Sequence, residues 1–249
     1  MQSGSPTRNE YPEIIEAYWL DALCKKYRSR DIASCSKRLS PIAGKLSDLF
    51  TSERKSGFES YSNSEELLLA YGLYIYPQTW SRMSFLAREL RRRFPDLPAT
   101  KHNELRILDL GSGSGAAAFS LLHSLSFDQK NIPATRLTLV DQSKSALRVA
   151  TDLHKKATPE LWSASKIQTQ AAQLEDFLNK VQPASFDIVL CSFALGETLY
   201  ESNETSRDQF IKKLLSLLAP DALLILLEPA LKETATRLMQ IRDTVTQST

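Results

Sequence analysis

The chain has 249 residues and a mass of 28.0 kDa, with 42% hydrophobic and 24% charged side chains. This apolar fraction excludes full-length disorder, and the length admits one large domain or two small ones. A balance of 31 basic against 29 acidic residues leaves +2, too small to name nucleic acid or membrane as partner, although residues 1–104 carry 16 basic and 13 acidic side chains.

Residues 1–10 are polar and read as a disordered tail. From Tyr11 the pattern is helical, and Ile14, Ile15, Tyr18, Trp19 and Leu23 recur at helical spacing. Ser40-Pro41 is expected to open a second, short helix through Phe50, followed by a polar loop over Thr51–Ser60. Ser64 is an N-cap, and Glu65 and Glu66 suit the dipole of the first turn. Leu67 to Tyr76 is apolar all round, which predicts burial; Tyr71, Tyr74, Tyr76 and Trp80 are read as core. Pro77 is expected to end or kink this helix. A new helix then runs from Gln78 to Phe94, with Trp80, Met83, Leu86, Ala87 and Leu90 on one face. Arg88, Arg91, Arg92 and Arg93 crowd its end. Such a cluster is most often a solvated helix end, yet it is the best polyanion candidate in the chain. Pro95–His102 is the linker candidate, dividing a helical region at 11–100 from an α/β domain at 101–249.

After Glu104 short apolar runs alternate with helical ones. Strands are predicted at Arg106–Leu110, Arg136–Asp141, Lys166–Thr169, Phe186–Ser192 and Ala222–Leu227. Helices are predicted at Gly115–Ser124, Ser143–Lys156, Leu174–Lys180, Arg207–Leu218 and Lys232–Thr244, with a surface loop over Phe127–Thr135. Alternation of this kind predicts right-handed crossovers and an α/β fold, a parallel sheet covered on both faces.

The sharpest feature is Ile107-Leu108-Asp109-Leu110-Gly111-Ser112-Gly113-Ser114-Gly115, which leaves a strand and opens a helix rich in small residues. Gly111 permits the tight turn, Gly113 a close approach by a ligand, and Gly115 close helix–strand contact. A phosphate-binding P-loop would end in Gly-Lys-Ser/Thr, and no lysine is present. The spacing is GxGxG rather than the dinucleotide GxGxxG, and Asp109 would repel a pyrophosphate. A cofactor carrying positive charge fits better, which points to S-adenosylmethionine. Asp141 ends the second strand, where a carboxylate can accept both ribose hydroxyls, and Gln142 follows it. An adenine contact falls at Gln170-Ala171, after the third strand. The end of the fourth strand, Cys191 and Ser192, lies beside the glycine loop. The candidate cofactor-binding set is therefore Asp109, Gly111, Ser112, Gly113, Gly115, Asp141, Gln142, Gln170, Ala171, Cys191 and Ser192. The plainer alternatives are a simple tight turn for the loop, a helix-start acid for Asp141 and a buried apolar residue for Cys191. His102, His123 and His154 are scattered and read as surface or helix histidines without metal-ligand spacing.

Cys24, Cys35 and Cys191 suit a reducing compartment, and the start lacks a signal-peptide core. The most apolar stretch, Leu214–Leu231, is broken by Pro220, Asp221 and Glu228, so no membrane span is expected and a cytoplasmic location is.

Residues 105–229, with ILDLGSGSG, LTLVDQS, FDIVLCSFALGE and a strand ending at Glu228, resemble a class I S-adenosylmethionine-dependent methyltransferase of Rossmann-like fold. Together with the stretch Leu69–Thr79, Leu226-Leu227-Glu228-Pro229 and Arg237–Arg242, the order resembles methyltransferase-like assembly factors of the small ribosomal subunit, found in mitochondria and bacteria. That resemblance implies S-adenosylmethionine binding, contact with small-subunit ribosomal RNA or ribosomal proteins, and a role in ribosome maturation. Two departures stand out: Pro229-Ala230 replaces the family's Pro-Gly, and none of the three cysteines matches the family's iron–sulfur region. The closing antiparallel strand pair of the fold is also expected to be missing, since one amphipathic helix follows Glu228. That would leave an exposed sheet edge.

Three functions compete. An active methyltransferase needs an aligned acceptor; no Asn/Asp-Pro-Pro-Tyr motif follows the fourth strand, and Glu197 and Tyr200 are the only polar candidates there, so no catalytic residue is named. A non-catalytic S-adenosylmethionine-binding assembly factor is the alternative, docking through basic helices. A nicotinamide-dependent oxidoreductase is disfavoured by the GxGxG spacing.

Overall fold

The structure, a computed structural model, describes residues 11–51, 64–94, 103–126, 134–162, 165–195 and 204–248. The expected disordered tail, residues 52–60 of the expected polar loop, the Pro95–His102 linker and residues 127–133 of the expected Phe127–Thr135 loop lie outside the described residues, while Thr51 ends a helix and Ala134 and Thr135 open a strand.

Helix α1 (Glu13–Tyr27) buries Ile15, Trp19 and Leu23, as its spacing predicts, and closes at Arg28 in the left-handed region, φ 51°. Helix α2 (Ile32–Thr51) is a single helix with Pro41 inside it, not a short helix opened by Ser40-Pro41. Its start is set earlier, by Asp31, whose carboxyl accepts the Ser34 N–H at 3.2 Å. Buried Cys35, Leu39 and Leu46 hold both halves despite the interior proline.

Helix α3 (Glu65–Ala70), capped by Ser64 as expected, passes through a π-turn at Tyr71–Ile75 directly into α4 (Tyr76–Arg93). Pro77 therefore does not end the helix. It sits in the first turn of α4, the Tyr76 N–H reaches back to the Tyr71 carbonyl, and Gln78 Nε2 donates to the Tyr74 carbonyl at 2.9 Å. The inserted residue also corrects the expected burial. Tyr71, Tyr76 and Trp80 are core, but Tyr74 is 44% exposed.

Gly72, in the π-turn, has a packing reason. A Cβ there would fall 2.1 Å from the Trp19 indole, which is itself buried. Gly72→Ala is expected to destabilise the fold by about 1–3 kcal/mol through overpacking. Urea unfolding followed by the emission of the three buried tryptophans measures this, and an unchanged midpoint would refute it.

Five strands form one sheet: β1 (Glu104–Leu110), β2 (Ala134–Asp141), β3 (Ser165–Ala171), β4 (Phe186–Ser192) and β5 (Leu218–Leu227). Their order is β3-β2-β1-β4-β5 and every pairing is parallel. Strand β5 begins four residues before its expected start. The extra segment holds Pro220 and Asp221 at φ 65°, with a register shift opposite Phe186–Ile188, a bulge on an edge strand.

Helices α5 (Ala116–Ser126) and α6 (Lys144–Leu161) share one hydrophobic core with α1–α4. Helices α7 (Leu174–Leu178), α8 (Glu204–Ser216) and α9 (Lys232–Ser248) close the second core on the other face. This is the Rossmann-like α/β fold with an N-terminal helical region. Among the described residues no strand follows β5.

The N-terminal helices are fastened to the sheet layer through α5. The Ser84 and Ser120 hydroxyls lie 2.9 Å apart, Ser120 Oγ also donates to the Trp80 carbonyl, and Arg91 Nη1 donates to the Ser124 carbonyl at 2.9 Å. A partly buried ion pair locks β1 to β4. Asp187 accepts from the Arg106 backbone N–H at 2.8 Å and from its guanidinium at 2.8 Å.

Candidate functional site

The strand order reverses between β1 and β4, so their carboxyl ends open a crevice at the topological switch point. The glycine loop occupies that end. Gly111, Gly113 and Gly115 all have positive φ, at 68°, 52° and 84°. The Gly111 and Ser112 N–H groups both donate to the Val140 carbonyl, at 2.8 and 3.1 Å, turning the chain off β1 across the end of β2. A Cβ on Gly111 would meet the Ala194 Cβ at 2.3 Å. A Cβ on Gly115 would come within 2.8 Å of the Phe119 ring, one turn along α5. The close contact there is within the helix, not the helix–strand contact expected, because α5 folds Phe119 back over its own start.

Asp141 ties the loop to β2. Its carboxylate accepts the Gly113 N–H and the Ser143 N–H, each at 2.8 Å. Beyond β4, Phe193 has φ 61° and donates its N–H to the Leu227 carbonyl at 2.7 Å. The Leu195 N–H donates to Glu228 Oε1 at 3.0 Å, joining the exit of β4 to the end of β5.

The polar chemistry around this loop is unfinished. Asp109 is fully buried, and neither carboxyl oxygen completes a hydrogen bond. The Ser112, Ser114 and Ser192 hydroxyls are likewise buried without partners. Buried polar groups are ordinarily satisfied, so orphans gathered at one strand end mark a place for a ligand. Burial pushes the Asp109 carboxyl up to about 8. Nearby Asp141 adds to this, and the Ala118 amide in the first turn of α5 opposes it. Asp141 is also raised, mainly by burial and less than it would be without its two N–H donors.

The expected set divides. Asp109, Gly111, Ser112, Gly113, Gly115, Asp141 and Ser192 come together around the crevice. Gln170 and Ala171 end β3, opposite Val140 and Asp141, and are exposed. Gln142 is exposed too, its Oε1 accepting from Gln173 Nε2 at 3.1 Å. Cys191 stands opposite Leu110 but buries its thiol in the core formed by α7–α9, the plainer apolar role. Glu197 and Tyr200 lie outside the described residues, as does His102. His154 is a helix histidine, within α6, where it is buried, bonded to Ser165 Oγ at 2.8 Å and stacked on Trp162.

Linear pattern missed the contribution of the N-terminal region. Tyr76 is fully buried with its hydroxyl unpartnered, and so is the hydroxyl of Tyr11, whose ring lies 6.2 Å from that of Tyr76. Both hydroxyls are pushed well up by burial, and Asp109 adds to the effect on Tyr76. A tyrosine in an apolar helical run carries no signal that a carboxyl will fold against it.

Among the described residues, no cluster of His, Cys, Asp or Glu could hold a metal ion, and no helix is long and apolar enough to cross a membrane.

Comparison with protein families matches residues 101–248 to the family described as a methyltransferase domain. Comparison with curated proteins finds no match. Solved structures similar to this chain include an S-adenosylmethionine-dependent methyltransferase from Agrobacterium tumefaciens (16% identity, TM-score 0.45, 68% of this chain and 50% of that one). A second is a putative S-adenosyl-L-methionine-dependent methyltransferase from Methanococcus maripaludis (12%, 0.42, 67% and 64%). A third is the CurJ carbon methyltransferase (16%, 0.46, 84% and 50%). The chain thus spans half to just under two thirds of the length of each. The family match and the sheet order, not likenesses this distant, carry the assignment.

Proposed function

The chain belongs to the methyltransferase-domain family, and from that premise we propose that it is a methyltransferase-like protein that binds S-adenosylmethionine and docks on small-subunit ribosomal RNA or a ribosome assembly intermediate. The observation that carries the cofactor half is the set of orphaned polar groups, Asp109, Ser112, Ser114 and Ser192, around three positive-φ glycines. Asp141 takes the ribose hydroxyls, the loop amides and serines take the amino-acid end, and Gln142, Gln170 and Ala171 form the exposed rim beside the adenine. Cys191 contributes through its backbone, since its thiol faces the core. Bound there, S-adenosylmethionine supplies an electrophilic methyl group on a positively charged sulfur. Asp109 and Asp141 favour a cationic ligand over a pyrophosphate, which supports S-adenosylmethionine over a dinucleotide.

The docking half rests on the sequence resemblance and on the basic end of α4. Arg91 is committed to the Ser124 carbonyl and Arg92 pairs with Glu89 at 2.9 Å. The cluster is therefore partly structural, with Arg92 and Arg93 exposed and Arg88 half-buried. Three cysteines, none in a disulfide, keep a reducing, cytoplasmic location in view.

Calorimetric titration with S-adenosylmethionine, S-adenosylhomocysteine and NAD tests the cofactor assignment. The first two are expected to bind and NAD is not; binding of NAD alone would sink it. Labelled cofactor incubated with purified small subunits then separates the two functions. Methyl transfer supports an enzyme, and binding without transfer supports the non-catalytic assembly factor.

A further inference from the structure

Of the five large hydrophobic side chains exposed among the described residues, three lie on one helical run: Tyr74, Phe85 and Phe94. Helix α4 is amphipathic. Trp80, Met83, Ser84 and Ala87 are buried toward α5. Gln78, Arg82, Phe85, Arg88 and Arg92 recur at three- and four-residue steps and so share the opposite face. That face is built, not random. Gln78 bonds back to the Tyr74 carbonyl at 2.9 Å and accepts from Arg82 Nη2 at 3.2 Å. The Arg82 guanidinium stands 5.6 Å over the Phe193 ring, and that of Arg88 stands 5.5 Å over Phe85. The helix carries five arginines against one acid, Glu89.

Phe193 follows β4, beside the crevice of the glycine loop. The strip of rings and guanidinium groups therefore runs from open solvent to the rim of the cofactor site. Exposed rings are useful to a partner with flat faces of its own, and interleaved arginines to one with a regular negative charge. An acidic peptide would use the arginines and leave the rings idle. Duplex nucleic acid keeps its bases stacked inside. Single strands offer both features at once.

We propose that the exposed face of α4, with the π-turn before it, is a docking strip for single-stranded RNA, with bases stacked on Tyr74 and Phe85 and phosphates paired with Arg82, Arg88 and Arg92. The Arg82–Phe193 contact leads the strand to the crevice. This deepens, and rests on, the RNA-docking half of the function proposed above.

The test is fluorescence anisotropy of the full chain with a labelled single-stranded RNA dodecamer, its duplex, and labelled polyglutamate, over a series of salt concentrations. Phe85→Ala and Tyr74→Ala are each expected to weaken single-strand binding on the order of tenfold. Phe85→Trp should restore it. Arg88→Ala should reduce the log–log salt slope by about 0.7. Calorimetry with S-adenosylmethionine should be unchanged in all four, because Tyr74 and Phe85 are exposed, Arg88 is half-buried against Phe85, and none of the three belongs to the glycine loop. If the wild type binds no RNA, both the strip and the docking reading fall. If RNA binds but is indifferent to Phe85→Ala and Tyr74→Ala, the strip alone falls. Equal affinity for duplex, or for polyglutamate, would overturn the single-strand assignment in favour of charge alone.

Discussion

Replacing Asp141 with alanine is expected to weaken S-adenosylmethionine binding on the order of 100-fold while leaving the sheet assembled. Two losses combine. The carboxylate that would accept the ribose hydroxyls disappears, and hydrogen bonds to a charged acceptor contribute about 1.5–3 kcal/mol each. The loop also loses its anchor, since the Gly113 and Ser143 N–H groups both end on this side chain. Asp141→Asn separates the two losses. It keeps one acceptor oxygen but turns an NH2 group toward one of the two N–H donors, so it should bind little better than the alanine variant. Calorimetry reads the affinity, and far-UV dichroism with urea unfolding confirms that β2 still pairs. An undiminished affinity in a folded Asp141→Ala protein would remove this residue from the site. It would leave Asp141 as a helix-start acid for α6, the plainer alternative its position at the end of β2 also allows.

What the sequence reveals follows from the range over which each signal acts. Strand β4 is legible to the residue because Phe186–Ser192 is a short apolar run between turn signals, buried almost throughout. The glycine loop is legible because positive φ leaves a mark in composition, and all three glycines use it. The N-terminal helices are harder to place, for physical reasons. Proline reads as a boundary at residues 41 and 77, but its local cost is overridden where buried side chains on both sides hold the helix. A π-turn has no sequence signature, so the outward rotation of Tyr74 is invisible, and with it the exposed strip on α4. The site follows the same division. Asp109 and Asp141 sit at strand ends, where topology alone assigns them. Tyr76 approaches Asp109 only because α4 shares a core with the α5–α6 face of the sheet.

That burial makes Asp109 the source of the largest pH effect expected in the ligand-free protein. Its carboxyl is lifted by desolvation, and further by Asp141, from 3.8 to about 8. The folded state therefore holds a proton that the unfolded chain releases near pH 4. Between those values the native state binds more protons, so stability must fall as pH rises, with the full cost reached above about pH 8. A shift of this size corresponds to an upper limit of about 6 kcal/mol, at about 1.4 kcal/mol per pKa unit. Asp109→Asn removes the ionisation. The variant should match the wild type near pH 4 and be more stable by several kcal/mol at pH 9, compared by urea unfolding without ligand. A residual slope should persist in the variant, because Asp141 is raised in the same direction. A wild type whose stability is flat from pH 5 to 8 would mean that Asp109 already has a partner. A ligand that brings positive charge to the crevice should reverse this dependence by favouring the ionised form. S-adenosylmethionine should then stabilise the wild type more at pH 8 than at pH 6, and Asp109→Asn should lose most of that difference, which ties the buried carboxyl to binding rather than to folding.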